Sequence, residues 1–168
     1  MHAEDVLKYG HQTLLKALEG ISENDWYTSG LLGIWSLKDV VAHVASHEQV
    51  FVEVLGTLIG GAPTPTLDQF KSNPAHFNDD EVARRINFSR EEVLSEYQDA
   101  NARSIQLIIQ IPVERRRLQG MLPWYGVEYD LEDYIAYGVY GHKREHSAQI
   151  EMYKDKLSNK QPGLVQSE

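Results

Sequence analysis

From Ile135 to Leu157 the chain carries a pattern that only a helix can use. Ile135, Val139, His142, His146, Ile150, Tyr153 and Leu157 follow at steps of 4, 3, 4, 4, 3 and 4 residues. An α-helix turns once in about 3.6 residues, so these side chains share one face. Asp130-Leu131-Glu132-Asp133 opens the segment with a capping signature, and the helix is expected to run to about Leu157. A stripe of that length must be buried against other elements. Two histidines inside it mark this as more than an ordinary packing helix.

Three other segments have the same period. The first runs from about Ala3 to Glu19, with Leu7, His11, Leu14 and Leu18 on one stripe and Gly20 as its stop. The second starts at Ser36-Leu37-Lys38-Asp39, a capping box, and runs to about Ile59 before Gly60-Gly61. Its stripe is Leu37, Val41, Val44, Phe51, Leu55 and Leu58. The third begins near Asn78, restarts at the capping box Ser89-Arg90-Glu91-Glu92, and closes at Pro112. Its stripe is Val93, Tyr97, Ala100, Ser104, Leu107 and Ile111. Between them, Gly60 to Asn78 holds Pro63, Pro65 and Pro74 and reads as an ordered loop or lid. Pro112 to Tyr129 reads as irregular. No stretch alternates apolar and polar residues, so strands are not expected. The pattern predicts an all-α protein, a four-helix bundle whose long connections allow a topology other than simple up-and-down.

Composition removes several functions. The chain has 168 residues, which suits a single domain, and no cysteine. Disulfides, thiolate metal sites and cysteine nucleophiles are therefore excluded, and a cytoplasmic location is expected. The first twenty residues mix charges with leucines, unlike a signal peptide. No stretch approaches the ~18 apolar residues of a membrane span. The net charge of −9 repels a phosphate backbone, so nucleic acid is not an expected partner. Arg115-Arg116-Arg117 is a local exception, either a clamp for a substrate carboxylate or a solvated loop.

His142 and His146 are four residues apart, which places their imidazoles ~5–6 Å apart on one face. Two such groups in one core each need a partner, by hydrogen bonding or by sharing an ion. The second segment offers a third nitrogen from His43 or, one turn on, from His47. A three-imidazole site leaves a position open for water or substrate and suits zinc, nickel, copper or iron. Glu48 falls on the apolar stripe between Val44 and Phe51. Either it bonds a ligand histidine's free ring nitrogen or accepts a proton, or the stripe twists and carries it to the surface.

Trp35-Ser36-Leu37-Lys38-Asp39, followed by His43 and Glu48, resembles the start of the second helix in the DinB/YfiT-like superfamily. Tyr140-Gly141-His142-Lys143-Arg144-Glu145-His146-Ser147-Ala148-Gln149-Ile150 resembles that family's His-x-x-x-His-x-x-Gln-Ile motif. Phe77-Asn78 and Ser89 to Leu94 are similar to its middle, and the likeness spans roughly residues 3 to 157. It implies a DinB-like four-helix bundle with a long crossover: one domain over 1–168, with its core at about 3–157 and a short polar tail at 158–168. It also implies a metal triad of His43, His142 and His146 holding zinc, nickel or a related divalent ion. Characterised relatives include transferases and isomerases that use low-molecular-weight thiols, while others have hydrolytic or toxin-resistance roles, and dimers are common. His47 stands where relatives often carry an aromatic residue, as an alternative ligand or a pocket wall.

The expected function is therefore a metal-dependent enzyme acting on a small molecule, with thiol S-transfer ahead of hydrolysis and Glu48 or a tyrosine handling protons. The alternative is a non-catalytic binder or resistance protein whose metal site is closed by a fourth ligand such as His47. His11 is expected to pack or to reach the pocket, and Trp124-Tyr125 to wall it or to cover the bundle end. Gly138 and Gly141 suggest a close helix approach, within the bundle or across a homodimer.

Overall fold

The structure is a computed structural model that describes residues 2–159, so residues 160–168 of the expected polar tail lie outside it. Its helices are α1 (Ala3–Leu18), α2 (Glu23–Trp26), α3 (Leu37–Leu58), α4 (Pro65–Ser72), α5 (Phe77–Arg84), α6 (Arg90–Ile108), α7 (Val113–Arg116), α8 (Leu131–Asp133) and α9 (Gly141–Asn159). A π-helical segment, Tyr134–Tyr140, joins α8 to α9. No strand is present among the described residues. The fold is all-α, and no described helix is long and apolar enough to cross a membrane.

Four long helices carry the core. α3 packs along α6 and α1 along α9, with further contact between α1 and α6 and between α3 and α9. The core has two apolar halves. One gathers Leu14, Leu37, Val41, Val44, Val93, Tyr97 and Ile150. The other gathers Leu7, Phe51, Leu55, Ile108, Leu131, Ile135 and Val139. Helices α3 and α6 pass from the first half to the second, whereas α1 and α9 pass from the second to the first. The chain thus goes up, down, down and up. The parallel pair α3 and α6 requires a crossover, and α4 and α5 are that crossover.

Here the sequence reading needs correction. Pro65 does not hold the segment in a loop but starts α4. Its fixed φ suits the first helical position, where no N–H is needed. Leu67 docks α4 by burying its side chain, and its N–H donates to the buried Glu53 Oε2 at 2.8 Å. Arg85 then ties the crossover to α6, with its guanidinium on Glu81 of α5 and Glu96 of α6 at 2.7 and 2.6 Å. A Cβ at Gly138 would come within 2.6 Å of the Tyr134 ring, in its own segment. Within the bundle, the close helix approach falls at Gly10 of α1, where a Cβ would lie 3.1 Å from Tyr140 and 3.4 Å from Lys143. Of the arginine triplet, Arg116 is buried on the carbonyl of Ile111 and reaches Glu4 of α1, and Arg117 pairs with Glu132.

Ser36 and Asp39 form the reciprocal capping box that starts α3. Ser36 Oγ accepts from Asp39 N–H at 3.2 Å, and Asp39 Oδ2 accepts from Ser36 N–H at 2.9 Å. Ser36→Ala is expected to lower unfolding free energy by about 1 kcal/mol. Urea titration checks it: the midpoint should fall with no change in slope.

Candidate metal centre

Between the two apolar halves lies a polar layer. On α3 it is Ser46, His47, Glu48 and Gln49, flanked by Ala45 and Val50. On α6 it is Asn101 and Ser104. On α9 it is His142, Lys143, His146 and Ser147. Of these, Ser46, Glu48, Asn101, Ser104, Lys143, His146 and Ser147 are buried, as is His43 one turn earlier on α3. Water cannot satisfy such groups, so each requires a partner inside the protein.

The Nε2 atom of His142 is flanked by two other imidazole nitrogens. His142 Nε2 lies 2.8 Å from His43 Nε2 and 2.9 Å from His146 Nε2. Gln149 Oε1 stands 2.8 Å from His146 Nδ1. An amide oxygen only accepts, so the His146 proton sits on Nδ1 and Nε2 presents a lone pair. A proton on His142 Nε2 would then be shared by two acceptors. His43 would carry its own proton on Nδ1, which is buried without a hydrogen-bond partner. Neutral imidazoles satisfy this arrangement poorly. A cation shared by the three lone pairs satisfies it, and an all-imidazole donor set fits zinc, nickel and neighbouring divalent ions. The residues present therefore fit such an ion.

His47 is the fourth histidine of the cluster. One ligand nitrogen each of His43, His47 and His142 lies within 4.8 Å of the others. Its Nε2 donates to Asn78 Oδ1 at 2.9 Å, which leaves Nδ1 with a lone pair. Its ring centroid is 4.6 Å from that of His43 and 4.5 Å from that of His142. His43 and His142 are thus common to two possible ligand sets, with His146 completing one and His47 the other. Trp35, from the motif before α3, packs on His43 at 5.2 Å between centroids.

Glu48 neither bonds a histidine ring nor reaches the surface. Its Oε2 pairs with Lys143 Nζ at 2.7 Å, and its Oε1 accepts from Ser104 Oγ at 3.1 Å. Ring nitrogens of His146 and His47 are bonded instead by Gln149 and Asn78. Sequence reasoning quoted both residues within the family motifs but gave them no role. It also missed Lys143 and Asn101, although a buried carboxylate on a stripe signals a cationic partner. His11 bonds Tyr97 Oη through Nδ1 at 3.0 Å. Trp124 and Tyr125, with Phe70, Lys71 and Pro74, line an open cleft of about 320 Å³. Phe70 also packs edge-on against His47, so the cleft is one ring away from the histidine cluster.

The fold is all-α and gathers histidines from two long helices around one buried layer. The chain belongs to the DinB superfamily, whose family model matches residues 7–150. No curated protein and no solved structure matches it.

Burial holds the imidazoles of His43, His47, His142 and His146 below the usual histidine range, His43 to about 2. In the unfolded chain they titrate near ~6.5. Below that pH the unfolded state binds more protons, so stability there rises with pH. The metal-free chain should therefore lose stability steadily as pH falls from about 6.5 to 5. Urea midpoints taken in chelator across that range test this, and a flat profile contradicts it.

Proposed function

We propose that this chain is a divalent-metal protein that works as a metal-dependent enzyme on a small molecule. The reading rests on His142 Nε2, which lies within 3 Å of both His43 Nε2 and His146 Nε2, with a nitrogen of His47 close by. His43, His142 and His146 would hold the ion, zinc or nickel. Gln149 orients His146 by accepting a hydrogen bond from its Nδ1–H, a contact of the kind that fixes ring orientation and raises ligand basicity. When bound, the ion supplies Lewis acidity, which lowers the pKa of a water or thiol beside it.

The cleft at Phe70, Trp124 and Tyr125 supports a small-molecule substrate with an apolar body. His47 stands between that cleft and the ligands, and Asn78 holds its ring in place. Thiol S-transfer is the reaction we favour, on the resemblance of the two histidine motifs to a family with thiol-dependent transferases, and hydrolysis comes second. We take the protein to be one domain, cytoplasmic and a homodimer. The absence of cysteine agrees with a reducing compartment.

One observation favours a second reading. The Nδ1 lone pair of His47 could close the site as a fourth ligand, which suits a structural ion and a non-catalytic binder or resistance protein. His47→Ala separates the two. It leaves metal content unchanged if His47 only lines the pocket, and weakens binding if His47 is a ligand.

The purified chain should carry about one divalent ion per copy, read by elemental analysis, and His146→Ala should lose most of it. A chain without stoichiometric metal, together with a His146→Ala form unchanged in metal content and stability, disposes of the triad. The thiol reading falls separately if a panel of low-molecular-weight thiols neither reacts with an electrophile nor perturbs the spectrum of a cobalt-loaded protein.

A further inference from the structure

Glu48 and Lys143 form an ion pair across the helix interface, with both side chains only 2 % exposed. Lys143 Nζ also donates to Asn101 Oδ1 at 3.0 Å and lies 5.6 Å above the Tyr97 ring. Glu48 is held by Ser104, and Tyr97 by His11. These contacts join α1, α3, α6 and α9. Such a pair is a poor source of stability, because desolvation roughly offsets the attraction and apolar residues of like volume often do as well. Its placement gives it another use.

Lys143 directly follows His142, and Glu48 comes one turn after His43, next to His47. Neighbouring residues on a helix point about 100° apart. A turn or slide of α9 that took His142 away from His43 would therefore also separate Lys143 from Glu48. The apolar halves above and below cannot prevent such a slip alone, because burial of apolar area is non-directional. The risk is greatest here, since α9 follows a π-helical segment whose i→i+5 bonds have already shifted the register of the turn. We infer that the Glu48–Lys143 pair, anchored by Ser104 and Asn101, locks the register of α9 against α3 and so sets His142 against His43. Both are positioning residues for the ligands, not catalytic ones. The inference rests on the proposed metal reading.

The test compares the wild-type chain with the double variant Glu48→Leu, Lys143→Met by two measurements. One is thermal unfolding without metal. The other is cobalt titration followed through the visible absorption bands of the ion. The apolar variant should melt close to wild type, yet bind cobalt at least tenfold more weakly and with altered bands. The variant Glu48→Gln, Lys143→Gln, which retains a hydrogen-bonded link, should recover most of that affinity. Cobalt affinity and bands equal to wild type in the apolar variant overturn the inference. If that variant does not fold, Glu48→Gln, Lys143→Met is read instead. It removes both charges of the pair while the glutamine can keep the bond to Ser104, and a cobalt affinity identical to wild type overturns the inference in the same way. A wild-type chain that takes up no cobalt overturns the metal reading itself, and the inference with it. That result is visible before any variant is made.

Discussion

A layer of polar side chains crosses the middle of this helical core, and it must be satisfied from within. Every other feature follows from that constraint. Apolar packing above and below the layer stabilises the fold without regard to direction, while the layer itself admits very few arrangements. Imidazole nitrogens, a carboxylate and an ammonium each lose several kcal/mol if left buried and unpaired. Except for His43 Nδ1, they are met by Gln149, Asn78, Ser104, Asn101 and one another. The two ring nitrogens of each histidine thus play separate roles. In His146 one nitrogen is tied to an amide oxygen and the other meets His142, and in His47 one nitrogen is tied to Asn78. A protein that needed only a packed core would not retain such a layer, since leucine and methionine would fill the space at less cost.

The order of the helices serves the same layer. α3 and α9 run in opposite directions, and the helical run that begins at Leu131 and passes through the π-helical segment carries His142 and His146 to mid-core, level with His43 and His47 of α3. α6 runs beside α3 in the same direction and offers Asn101 and Ser104 at that level. A parallel neighbour cannot be reached by a short turn, which is why the chain uses α4 and α5 to return. The crossover then does more than connect. It delivers Asn78 to His47 and Phe70 to the same ring, and so walls the site on its open side.

Much of this could be read from the sequence. The capping boxes at Ser36, Ser89 and Asp130 mark helix starts that the structure keeps. The stripe containing His142 and His146 faces the core as its steps require. Crossover helix α4 was not legible, because Pro65 was read as a breaker when its missing N–H costs nothing at the first position of a helix. The π-helical turn was hidden for a different reason. Steps of three and four residues fit an α-helix, and the Tyr134 ring lying over Gly138 within the π-helical segment is a local fit with no periodic signature. Glu48 was legible as an anomaly but not as a partner. A single stripe shows that a carboxylate is inside, whereas the ammonium that meets it sits off the stripe on another helix.

That last gap says something about how such sites are specified. The residues that could hold an ion are the conspicuous ones, four histidines spread over two helices. What sets their relative position is less conspicuous: an amide beside His146, an amide beside His47, and an ion pair one residue from His142. Each of these partners lies on a helix that also carries a histidine, or on one packed against it. The supporting contacts therefore move with the ligands and cannot be satisfied in any other register. Directional bonds of this kind convert a loosely specified apolar bundle into one with a single alignment at mid-core. The alignment is what lets an imidazole from α3 meet one from α9.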